Sequence, residues 1–139
     1  MVDWALIGEG ILLLANWKIP AVMFAGMLLG LIFGVIPGVS GALGIAVLLP
    51  ITFLMDPLTA LVLLTSVYTG GLTGGGITAV LINTPGTPGA VATTFDGYPM
   101  TRKGQQNEAL GLQVASSVVG GICGYVFLLF FINLMVKVA

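Results

Sequence analysis

Apolar residues fall in runs along this chain, and the runs are interrupted more by glycine and proline than by charge. Ala21 to Ile36 is one run, Ala42 to Leu54 a second and Leu58 to Thr69 a third. Two short segments follow, Ala79 to Ile82 and Ala90 to Phe95, and then the long stretch Ala109 to Val136. Spanning a bilayer as a helix takes about 20 apolar residues. Continuous runs of this kind predict helices, whereas a transmembrane barrel would alternate over segments of about 10 residues. Pro20 is expected to open the first membrane helix, a favoured first-turn position. Residues 1–18, flanked by Trp4 and Trp17, are too interrupted to span and are expected to form an interfacial helix; residues 20–139 are expected to be membrane-embedded.

Three interruptions stand out. Between the first two runs lies Gly34-Val-Ile-Pro-Gly-Val-Ser-Gly-Ala-Leu-Gly44. Pro37 has no N–H and clashes with a preceding helical turn, and Gly38 takes positive φ freely, so a break is predicted there. The second interruption is Gly70 to Thr78. It holds five glycines in seven positions, Gly70 to Gly76, each costing about 1 kcal/mol of helix stability against alanine, and is expected to be irregular. The third is Asn83-Thr-Pro-Gly-Thr-Pro-Gly89. The segment after it is expected to end at Asp96-Gly-Tyr-Pro99, leaving 100–108 as a polar loop. Asp56-Pro57 reads as a helix N-cap followed by proline at the first helical position. Gly26, Gly30, Gly34 and Gly38 recur every four residues on one helix face, and Gly120 and Gly124 do so later. Small-x-x-x-small spacing lets another backbone approach closely in lipid.

Composition turns the pattern into a class. Of 139 residues, 58% are hydrophobic and only 6% charged, against about a quarter charged in a soluble domain. The fold class is therefore all-α, a polytopic membrane protein with broken or re-entrant helices. The net charge of −1 offers no footprint for nucleic acid. Histidine is absent and there is one cysteine, Cys123, so no internal disulfide and no histidine-based metal site or catalytic base is expected. No cofactor and no catalytic residue is expected either. Gly38-Val-Ser40-Gly41 matches the Gly-x-Ser-Gly nucleophile motif of intramembrane serine proteases, but serine needs a base to take its proton, and none is present. Arg102 and Lys103 make 100–108 the cytoplasmic loop under the positive-inside rule.

Broken backbone within a membrane is costly unless it lines a cavity. Half-helix N-termini can point unpaired N–H groups at an anion. The candidate ligand positions are Gly38, Val39, Ser40 and Gly41; Thr73, Gly74, Gly75, Gly76 and Thr78; and Asn83, Thr84, Pro85 and Gly86. With no arginine or lysine among them, an anion would be held by backbone N–H, hydroxyl and amide groups, helped by a bound cation. The competing reading is a non-transporting helical module held together by its glycine faces.

Several blocks in order carry a family resemblance: Gly26-x-x-x-Gly30 through Pro37-Gly38-x-x-Gly41, Leu48-Leu-Pro50, Asp56-Pro57, the glycine region Thr73 to Gly86 ending in Asn83-Thr-Pro-Gly, and Asp96-Gly-Tyr-Pro99. Together they resemble the large membrane subunit of the tripartite tricarboxylate transporters, the TctA family. The resemblance implies a bacterial inner-membrane symporter of organic carboxylates, driven by an ion gradient and coupled to Na⁺. It implies a periplasmic solute-binding protein and a small second membrane subunit as partners. It also implies inverted repeats and a chain three to four times longer, so that the remaining C-terminal portion of the permease is a further partner. Where many members carry Tyr-Gly-Gly-Ser, this chain has Thr73-Gly74-Gly75-Gly76.

Overall fold

A computed structural model describes residues 10, 12 and 16–138, with side chains through 131. The interfacial helix expected over 1–18 falls largely outside the described residues. Five α-helices follow: α1 (Lys18–Val35), α2 (Gly41–Thr52), α3 (Pro57–Ile82), α4 (Val91–Arg102) and α5 (Gln106–Val138), with a one-turn 3-10 helix, Pro88–Ala90, before α4. By length and hydropathy α1, α3 and α5 can each cross a membrane, and α2 is shorter.

The core is the α1–α3 interface, and glycine builds it. A Cβ on Gly26 would lie 2.9 Å from that of Ser66, one on Gly30 would collide with the Val67 carbonyl, and one on Gly34 with the Gly71 carbonyl. From the other side, Gly70 meets the Met27 carbonyl and Gly74 the Leu31 carbonyl. The contacts advance in step along both helices, so α1 and α3 run parallel. Their shared beginning is fixed by charge. Lys18 Nζ donates to Asp56 Oδ1, and Thr59 N donates to Asp56 Oδ2 at 3.0 Å, capping α3 as its sequence anticipates. Lys18, then Thr59, holds the Asp56 carboxyl well below the usual carboxylate range.

Two parallel neighbours in sequence need a return path, and α2 supplies it. Its beginning at Gly41 lies against Gly71 and Tyr68, and Gly44, further along, packs on Phe33 and Val67. The helix thus descends from the level of Gly71 back towards Asp56. Together, α1 and α2 form a hairpin that enters and leaves on the Lys18 side.

The glycine run does not break α3. Residues 57–82 are one continuous helix, with Gly70, Gly71, Gly74, Gly75 and Gly76 buried inside it. The expected irregular stretch from Gly70 to Thr78 is therefore corrected. Each glycine loses helix propensity, but here each admits a neighbour that a side chain would exclude. The segment after Asn83 also differs from expectation: α4 continues through Pro99 to Arg102, and the polar loop shrinks to residues 103–105. Gly104, at φ 81°, and a hydrogen bond from Gln105 N to Met100 O close α4, the pattern of a glycine C-cap.

From that turn α5 runs antiparallel to α3. Ala109 is buried, and Gln113 Nε2 donates to the Thr73 carbonyl at 3.2 Å, in space left by Gly76. Beyond Gln113 the helix leaves the bundle, and none of its most apolar stretch is buried. The packing expected at Gly120 and Gly124 is accordingly not formed among the described residues: a Cβ on either would meet nothing within 4 Å there.

Candidate functional site

Two turns flank the glycine segment of α3, one at the end of each hairpin. The first is Ile36-Pro-Gly-Val39. Ile36 is extended, Gly38 has φ 84°, and Val39 N donates to Ile36 O at 3.0 Å. This is a type II β-turn, which favours proline at its second position and requires positive φ at its third. Ser40 then stands at the N-cap of α2 with extended backbone, and its carbonyl accepts from Leu43 N and Gly44 N. Its hydroxyl makes no capping bond. Ser40 and Val39 are half-buried, Gly41 is buried against Gly71, and Pro37 and Gly38 are exposed.

The second turn begins at Asn83, which leaves α3 in the left-handed conformation at φ 56°. Asparagine tolerates that region better than other side chains. Asn83 N and Thr84 N both donate to the Thr78 carbonyl, which halts the helix. The chain then doubles back. Gly86 N donates to Gly75 O at 3.3 Å, Gly86 lies against the Gly34 carbonyl, and the backbone of Thr87 covers Gly75. From there α4 climbs away again, with Thr101 Oγ1 donating to Val80 O at 2.8 Å. So Asn83 to Thr87 dips from the far end of α3 to Gly75, while Pro37 to Gly41 rises from the near end to Gly71. The two approach the same helix one turn apart, from opposite ends.

The structure sorts the candidate residues. Thr73 Oγ1 donates to Thr69 O, Thr78 Oγ1 to Gly75 O and Thr84 Oγ1 to Ile82 O. Gly74, Gly75 and Gly76 are packed on Leu31, Thr87 and Gln113 respectively. Their positions serve backbone contact within the chain. Ser40 and Asn83 differ: neither side chain has a hydrogen-bond partner among the described residues. Gln113 was not among the expected residues, yet it ties α5 to α3. Its signal was an amide four residues from both Ala109 and Ser117, on one face of α5. No group of three or more metal-ligating side chains occurs among the described residues.

Fold and site together define an all-α polytopic membrane protein with two inward turns set against a glycine-lined helix. Comparison with known proteins gives the family. Residues 21–139 match the model of the tripartite tricarboxylate transporter TctA family, and the chain belongs to that family. It is also 45% identical over 98 residues to a protein of Agrobacterium vitis described as "Uncharacterized 52.8 kDa protein in TAR-I ttuC' 3'region". The match covers 70% of this chain and 20% of that protein, so the chain spans a minor part of its relative's length. No solved structure matches.

Proposed function

We propose that this chain supplies one portion of the carboxylate site of an ion-gradient-driven permease, with tricarboxylates or related organic carboxylates as substrates and Na⁺ as coupling ion. TctA membership makes it a component of a tripartite tricarboxylate transporter. One observation carries the finer reading. Two inward turns converge on α3, and the half-buried Ser40 hydroxyl at the first has no partner among the described residues, which packing alone does not require.

Depth supports it. At 1.5 Å per residue, Gly71 lies about 22 Å and Gly75 about 28 Å along α3 from Asp56. The hydrocarbon core is about 30 Å thick, and the Lys18–Asp56 ion pair belongs at its headgroup boundary. The first turn then lies in the far half of the bilayer, and the second starts about 40 Å from Asp56, beyond the core, and dips back to its far edge at Gly75. At the first turn the N–H groups of Gly41 and Ala42, which open α2 and lack intrahelical acceptors, face a carboxylate with the favourable end of the helix dipole. Ser40 donates to this anion and Gly38 to Gly41 bring the main chain close, while Asn83 to Gly86, beginning about 18 Å further along α3, contact the substrate on its way to or from that point. The remaining portion of the permease, a small membrane subunit and a periplasmic solute-binding protein complete the system. In this reading the α4–α5 turn, which carries Arg102 and Lys103, faces the cytoplasmic side of the bacterial inner membrane, the side that the positive-inside rule favours.

The test is uptake of labelled citrate by a full-length permease carrying this region, with Ser40→Ala or Asn83→Ala. Uptake is expected to fall about tenfold in each, the equivalent of one lost polar contact, with unchanged protein in the membrane. Undiminished uptake in both variants overturns the assignment and leaves the glycine-packed scaffold as the better reading.

A further inference from the structure

Between α3 and the outward-leaning part of α5 lies a cleft of about 760 Å³. Ser117, Gly121 and Gly124 line one wall and Thr69, Leu72 and Thr73 the other. The α5 residues stand at i, i+4 and i+7, one stripe of a helix. Among the described residues no charged side chain lines the cleft, and a Cβ on Gly121 or Gly124 meets nothing within 4 Å. At its apex, Gln113 spaces α5 from α3 through the bond to Thr73.

We infer that this cleft seats a transmembrane helix from the remainder of the permease. The matched region is 20% of the Agrobacterium vitis relative, so most of a protein built on that plan must find places to pack against or beside it. The cleft is uncharged and mostly apolar, which suits an apolar segment. Its glycines admit close backbone approach, which a helix exploits and a lipid chain does not need. Within this chain α1 and α3 already pack by that rule, glycine against carbonyl. The inference rests on family membership and on this geometry, and is independent of the carboxylate reading.

A photoreactive benzophenone tests it, attached at Gly121→Cys in a full-length permease carrying this region and Cys123→Ser. Irradiation in native membranes and peptide mapping identify what lies in the cleft. Adducts to a hydrophobic segment of the remainder are expected, exceeding those to lipid or to a second copy by about tenfold, which corresponds to about 1.4 kcal/mol of preference. Predominant lipid adducts, or adducts to the same region of a second copy, overturn the inference. Ser117→Cys, on the same wall and without a glycine to replace, provides the same readout where Gly121→Cys does not assemble. The readout is proximity, so it succeeds or fails irrespective of citrate uptake by the Ser40 and Asn83 variants.

Discussion

Gly70 to Gly76 and Pro37 to Gly41 look alike on paper, as glycine-rich gaps in apolar sequence, yet one is helix and the other is a turn. In the first, glycine is a packing residue. Gly70 and Gly74 lie on carbonyls of α1, Gly71 on Gly41 and Gly75 on Thr87. The cost of about 1 kcal/mol per glycine is offset by contacts available only without a side chain. In the second, a Cβ on Gly38 would meet nothing, and its role is its positive φ beside a proline that cannot continue the helix. Glycine number therefore does not predict a break in this chain. Proline next to a residue at positive φ does, as at Pro37-Gly38, and so does a tolerated left-handed residue, as at Asn83.

Substitutions separate the two uses of glycine. Gly34→Leu should be the most damaging, because it drives a side chain into the Gly71 backbone. Overpacking costs of about 1–3 kcal/mol are usual, and a backbone obstacle places this variant at the upper end, visible as loss of the folded species in detergent by size-exclusion chromatography. Gly38→Ala should cost less, about 1–2 kcal/mol, the left-handed penalty for an L-residue, measured as a lowered thermal midpoint without loss of assembly. Should Gly38→Ala prove as damaging as Gly34→Leu, the tip would be packed rather than merely turned. Gly111→Ala, on an open face of α5, should be neutral or stabilising by up to about 1 kcal/mol.

The smallest effect concerns pH. Asp56 has a lowered folded-state pKa, with Lys18 and Thr59 as the causes. Its contribution is therefore complete above the ordinary carboxylate range and is lost as pH falls through the folded value. Between pH 7 and pH 5 the thermal midpoint should be insensitive to Asp56→Asn beyond a constant offset. Below about pH 4, near the unfolded pKa of aspartate, the offset should shrink.

Much of the fold was legible because its signals are local. The Asp56-Pro57 cap, the Pro37-Gly38 turn and the exit at Asn83 each depend on the conformations their own residues allow. The continuity of α3 was not legible, since it depends on the α1 carbonyls that Gly70 and Gly74 meet, far away in sequence. The extension of α4 through Pro99 was hidden similarly, because Thr101 reaches across to Val80. For the candidate site, residue type pointed alike to Ser40, Thr73, Thr78, Asn83 and Thr84, and the local backbone of α3 and its exit then showed that Thr73, Thr78 and Thr84 donate their hydroxyls to nearby carbonyls. The stripe on α5 carried the same spacing as that on α1, and nothing local distinguished a filled face from an open one.

The account turns on the Pro37–Gly41 tip lying within the membrane yet open to a watery, anion-binding space. In inside-out membrane vesicles holding a full-length permease that lacks Cys123, Ser40→Cys reports on this directly through its reaction with a charged, membrane-impermeant thiol reagent. The predicted result is slow but measurable labelling, suppressed by citrate. Labelling as fast as at Lys103→Cys and indifferent to citrate would contradict it, placing the turn in open water.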